Sequence, residues 1–217
     1  MDPIRRGRTA DRIAIADGAA DSSEIAAFER DRRELLRRGF TLGGAAIAAS
    51  SIPLLLSVRN AFARATGDGA VLDSAITIER VSVIAYDTVI AGGLLSPGLT
   101  RVARRFRSHE QEHATTLTTA LTDLGGTPPE APDGVGAVDD VVEGLGDVAS
   151  QADVLSFLIE LETATVAAYF DAHANFVEPR LLQTGASIMA NEGQHLVVLR
   201  KAAGQNPIPN AFETGAE

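Results

Sequence analysis

The chain has 217 residues, enough for one well-buried domain with length to spare. It has no cysteine, which excludes disulfides, thiolate metal sites and cysteine nucleophiles, and its formal charge of −10 argues against nucleic acid as a partner, since phosphate binding needs a basic surface. Aromatics make up 5%, tryptophan is absent, and the abundance of Ala, Leu and Val suits closely packed helices better than a β-sandwich.

Charge is unevenly placed along the chain. Residues 1–65 hold 11 Arg against 8 acids, while residues 66–217 hold 8 basic against 21 acidic side chains. A basic leader in front of an acidic domain reads as two objects, with the boundary between 65 and 66. Residues 1–36 are polar and charge-mixed and are expected to be disordered. Then comes Leu36-Arg37-Arg38-Gly39-Phe40-Thr41-Leu42, with no charge from Gly39 to Val58. Ala61-Phe62-Ala63 and Ala63-Arg64-Ala65 both offer a small-x-small cleavage pattern. Together these make an export signal of twin-arginine type, which implies the export machinery as a partner and a periplasmic, envelope or extracellular location. The alternative is an uncleaved membrane anchor, because 20 uncharged residues just span a bilayer. Gly39, Gly43, Gly44, Pro53 and three serines make that run only weakly hydrophobic.

In the second part, Asp73 or Ser74 is the expected N-cap of a first helix whose apolar stripe, from Ile76 to Ile90, leads to Gly92-Gly93. Ser96-Pro97 supplies an N-cap and a proline for a second helix that stops at Gly125-Gly126. Residues 127–149 are rich in Pro, Gly and Asp and read as a crossover, with one helical turn expected in the apolar patch Val138–Leu145. Ser150 with Asp153 forms a capping box for a third helix over Gln151–Asn175, and a fourth runs from Pro179 to Gly204. Helices of about 23–27 residues would be near 35–40 Å long. The short connections make each consecutive pair an antiparallel hairpin, so the fold class is all-α: a ferritin-like four-helix bundle with one long crossover.

Two segments of this bundle match each other. Glu110-Gln111-Glu112-His113 and Glu192-Gly193-Gln194-His195 are both Glu-x-x-His, a spacing that puts the carboxylate and imidazole on one helix face. Glu79 lies 31 residues before Glu110, and Glu162 lies 30 before Glu192. Seven residues after each of these comes one of the chain's two tyrosines, Tyr86 and Tyr169. The order Glu, Tyr, Glu-x-x-His thus occurs twice, an internal repeat of two hairpins.

Folded together, the repeats would converge four Glu and two His, the set with which helical bundles hold two metal ions. Left unpaired in an apolar core, four carboxylates would be destabilising, whereas two divalent ions would bring +4 against −4. In this arrangement Glu110 and Glu192 bridge both ions, Glu79 and Glu162 each bind one, and His113 and His195 each supply a nitrogen. Donors without sulfur suit Fe or Mn, and Zn would also bind; Fe is the first expectation. Helical phase selects Glu162 over Glu160 and leaves Glu112 as a solvated charge.

Tyr86 and Tyr169 share the face of the ligand carboxylates and are the catalytic candidates. Each is placed to hydrogen-bond a carboxylate of the opposite half, with simple packing as the alternative. His173 reads as a helix-end histidine. A competing reading takes His109-Glu110-Gln111-Glu112-His113 as the H-E-x-x-H of a zinc protease, with Glu143 as a third ligand. That reading leaves Glu79, Glu162, Glu192, His195 and the repeat without a role.

On these motifs the chain resembles the ferritin-like superfamily, and more narrowly its exported members with twin-arginine signals. The resemblance covers about residues 70–214 and includes the ending Pro207-Ile-Pro-Asn-Ala-Phe212. In bacterioferritin-like and rubrerythrin-like relatives the corresponding residues bind a di-iron or di-manganese pair that reacts with dioxygen or peroxide. All six positions match here. The resemblance therefore implies metal oxidation or O2/H2O2 chemistry, and a homo-oligomer is compatible with it. A non-catalytic binding or structural bundle of the cell envelope is the alternative from another class.

Overall fold

A computed structural model describes residues 67–215; the leader with its paired arginines lies outside them. Among the described residues the regular structure is entirely helical. It comprises α1 (Asp68–Gly92), α2 (Pro97–Asp123), the short α3 (Gly134–Asp139), a 3₁₀ turn (Leu145–Asp147), α4 (Gln151–Ala172) and α5 (Pro179–Ala202). None of these helices is long and apolar enough to cross a membrane.

α1 packs along α2 and α4 along α5, giving two antiparallel hairpins that meet through α1 against α4 and α2 against α5. The first hairpin turns at Gly93, whose φ of 69° is left-handed. An Arg107–Asp87 pair, with both hydrogen bonds at 3.0 Å, ties its helices on the outside. The capping box of α4 is in place. Ser150 Oγ accepts from Asp153 N at 3.2 Å, and Asp153 Oδ2 accepts from Ser150 Oγ at 2.8 Å.

Three boundaries differ from the sequence reading. α1 begins at Asp68, before the expected cap at Asp73 or Ser74, because Val71 and Leu72 continue its buried stripe and pack in one cluster with Leu117 and Leu121. Ser74 is inside the helix, its hydroxyl donating to Ala70 O at 3.2 Å. Asp68 instead accepts from Val177 N of the α4–α5 loop at 2.8 Å. α4 ends at Ala172, short of Asn175, where Phe176 N turns back to Ala172 O at 3.2 Å. Phe176 then lies against Gly185 of α5, where an added Cβ would come within 3.0 Å of its ring. The crossover holds two short turns in place of one. They bury Val138, Val142 and Leu145 in the core, and Arg80 donates to Pro129 O at 2.6 Å to fix its start to α1.

Beyond α5 the chain doubles back over α4. Arg200, itself buried, pairs with Glu213 at 2.6 Å. Gly215, at φ 64°, sits so close to α4 that a Cβ would fall 2.4 Å from Thr163 O and Ala167 N. Between Leu161 and Tyr169 α4 is consequently covered on all sides, every residue there being buried.

The core forms two apolar clusters, one containing Tyr86, Phe106, Leu158 and Leu196, the other Ile76, Leu117, Tyr169 and Ile188. Along α1, α2 and α5, Glu79, Glu110 and Glu192 fall where one cluster gives way to the other. With Glu162 of α4, also buried, four carboxyl side chains share the interior of the bundle.

Candidate metal centre

The structure brings the six Glu and His side chains of the repeat together. Glu79, Glu110, Glu162, Glu192 and His195 are buried, and His113 is partly exposed. Their donor atoms form two groups with all atoms within 4.8 Å: Glu79, Glu110, His113 and Glu192 in one, and Glu110, Glu162, Glu192 and His195 in the other. Glu110 and Glu192 belong to both. Glu160 is half-buried, Glu112 is exposed, and neither joins a group.

In the first group His113 Nδ1 lies 3.0 Å from Glu192 Oε1, 3.4 Å from Glu79 Oε2 and 3.6 Å from Glu110 Oε2. In the second, His195 Nδ1 lies 3.0 Å from Glu192 Oε2 and 3.2 Å from both Glu110 Oε1 and Glu162 Oε1. Despite these distances, both Nδ1 atoms, both oxygens of Glu110 and Glu192, and Oε2 of Glu79 have no hydrogen-bond partner. Buried polar atoms are nearly always satisfied. Here seven of them aim at two points, each ringed by three carboxylates and one imidazole. That is the donor set of a hard or borderline divalent cation, and the residues present fit a pair of such ions.

The electrostatics describe the same strain. Burial opposes charge on His113, but the carboxylates of Glu110, Glu192 and Glu79 outweigh it and push its pKa up to about 12. His195, opposed by burial and favoured by Glu162, Glu110 and Glu192, is also pushed up to about 12. Burial, then the neighbouring charges of Glu192 and Glu162, drives Glu110 well above the usual carboxylate range. Burial, then Glu192, raises Glu162 to about 7. Protons here stand where cations would otherwise balance the charge.

The tyrosines cross the bundle. Tyr86 of α1 donates to Glu162 Oε1 of α4, and Tyr169 of α4 donates to Glu79 Oε1 of α1. Burial, followed by the charge of Glu162 for Tyr86 and of Glu79 for Tyr169, raises both phenols well above their usual range, so each remains a donor. His173 caps the end of α4, with Nδ1 against Tyr169 O.

Three features of the site did not emerge from the sequence. Phe106 stacks on the His195 ring with centroids 3.9 Å apart and meets Tyr86 edge-on at 6.2 Å. His109 joins neither ligand group, nor does Glu143, which is exposed. Instead, His109 Nδ1 lies 3.0 Å from His195 Nε2, the nitrogen facing away from the carboxylates. A polar pocket of about 500 Å3 opens between α2 and α5, lined by His109, Glu112, His113, Thr116, Gln183 and Asn191 among others. The signal for Phe106 was available: with Glu110, His113 and Leu117 it forms an i, i+4, i+7, i+11 stripe.

A solved conserved hypothetical protein from Mycobacterium tuberculosis shares this fold, with a TM-score of 0.55 and 17% identity over 73% of this chain and 99% of that one. No curated protein matches the chain. The ferritin-like domain matches residues 67–205, which carry all four long helices and all six converging side chains, and the chain belongs to that family.

Proposed function

We propose that the bundle binds a dinuclear metal centre, iron by preference, and serves metal oxidation or the reduction of dioxygen or peroxide in an exported protein. The observation that carries this reading is the set of seven unpartnered donor atoms on Glu79, Glu110, Glu192, His113 and His195, buried and converging on two points. Glu110 and Glu192 would each give one oxygen to either ion, Glu79 and His113 would complete one position, and Glu162 and His195 the other. Bound there, a redox-active pair would supply electrons to a small oxidant.

This chain's own residues would do the rest. Four carboxylates offset the charge of two divalent ions and tolerate an increase in it. Tyr169 holds Glu79 Oε1 and leaves Oε2 toward His113, while Tyr86 holds Glu162 Oε1, the same oxygen that lies 3.2 Å from His195 Nδ1. The two apolar clusters keep bulk water from either end. The pocket beside His113 gives a polar approach for an ion or a small oxidant. The Arg37-Arg38 leader supports export.

Anaerobic Fe(II) added to the protein should saturate at about two ions per chain and be oxidised when air is admitted. Uptake of one ion or none, with the helices intact, would sink this reading and leave a bundle that binds or assembles without metal chemistry.

A further inference from the structure

The two halves of the centre are not equivalent outside the ligands themselves. His195 is sealed: Phe106 stacks on its ring at 3.9 Å, and its Nε2 lies 3.0 Å from His109 Nδ1. His113 stands at the wall of the pocket, and the ion-pair contacts it makes among the described residues all run through Nδ1. The repeat itself carries this difference. Asn191 holds the position in the second half that His109 holds in the first, each four residues before its Glu-x-x-His histidine.

We infer that His109 is a positioning residue for His195, accepting the Nε2 hydrogen so that the Nδ1 lone pair is held toward Glu110, Glu162 and Glu192, and that the position built on His195 thereby holds its ion more tightly than the one built on His113. The inference rests on the dinuclear reading. A histidine that binds a metal through Nδ1 must be neutral and must carry its hydrogen on Nε2. That hydrogen is buried and needs an acceptor, and His109 Nδ1 is the atom at hydrogen-bond distance. His109 must then carry its own hydrogen on Nε2, on the side away from His195. An acceptor on the outer nitrogen fixes the tautomer and ring angle of a metal-binding histidine and makes it more basic, and losing such a partner typically weakens metal binding about 10–100-fold.

The His109–His195 contact also bears on the H-E-x-x-H reading. A zinc site would need His109 and His113 to turn toward one ion, yet the His109 ring lies against His195 and joins neither group of converging donors.

Cobalt(II) titration of the full chain against a competing chelator tests this. Wild type should take up both ions in two resolved steps. His109→Leu, which keeps bulk beside Phe106 but offers no acceptor, should keep one step unchanged and weaken the other about 10–100-fold. His109→Asn can place its amide oxygen near the site of Nδ1 and should recover most of that loss. In the proton NMR spectrum of the cobalt protein, a shifted ring N–H from His195 should exchange slowly in wild type and His109→Asn and be lost in His109→Leu. If wild type takes up both ions and His109→Leu is indistinguishable from it, this inference falls and the dinuclear reading stands. Equal weakening in His109→Leu and His109→Asn would reduce the role to packing and would also overturn it. If wild type fails to bind both ions, both readings fall.

Discussion

The phenol of Tyr169 on α4 reaches across the bundle to hold Glu79 on α1. With the reciprocal contact from Tyr86 to Glu162, it links the hairpins through one carboxylate of each donor group. Replacing Tyr169 with Phe leaves Glu79 Oε1 buried without a donor. The metal-free protein should lose about 1–3 kcal/mol of stability in urea unfolding. An unchanged midpoint for both Tyr169→Phe and Tyr86→Phe would show that these bonds do not hold the carboxylates.

Glu110 belongs to both ligand groups, so its removal should cost both ions. Glu110→Ala is expected to abolish dinuclear binding, while His109→Leu retains at least one ion at wild-type affinity. In a zinc protease the order reverses, since His109 would touch the metal and Glu110 would act as a general base that does not. Metal counts on the two variants separate these chemistries.

Stability and metal affinity should respond to pH in opposite directions. His113 and His195 have folded pKa values of about 12 against an ordinary 6.5. A group raised in this way stabilises the folded chain fully below about 6.5, and the contribution is lost as pH climbs toward 12. Glu162, raised to about 7, acts in the same direction from lower pH. The metal-free protein should therefore lose stability as pH rises from neutrality. Metal binding displaces these protons, so affinity should rise over the same range. Calorimetry in buffers of different ionisation enthalpy should detect proton release on binding. Binding without proton release would contradict the charge state assigned to the two histidines.

Export depends on the arginine pair if the leader is of twin-arginine type. Replacing Arg37 and Arg38 together with Lys keeps the charge but not the guanidinium geometry, and should hold the precursor inside the cell. Cell fractionation that finds the Lys pair exported at wild-type level would refute the route.

The convergence of six side chains was legible in the sequence because a helix turns a spacing of three into a shared face, and the same spacing occurs twice. The matched spacing to Glu192 singled out Glu162, and helical phase supported it over Glu160. The start of α1 was hidden because Gly67 and Asp68 cap nothing recognisable from sequence: Gly67 has no side chain, and Asp68 serves a distant loop at Val177. The end of α4 was set by Phe176 settling against Gly185, a contact between different elements. His109 meeting His195 was beyond reach for a similar reason. The wheel of α2 places His109 beside His113, but only the rotation of α5 against α2 decides which ring it touches.

The return of the chain across α4 makes its last stretch an architectural member rather than a trailing end. Gly215 fits against Thr163 and Ala167 only because it has no side chain, and Glu213 supplies the countercharge for a buried Arg200. A protein cut after Gly204 would keep every ligand and all four long helices, yet present an uncovered side of α4 to the next molecule. A handle fused at that end would have to leave the seat of Gly215 against Thr163 and Ala167 undisturbed.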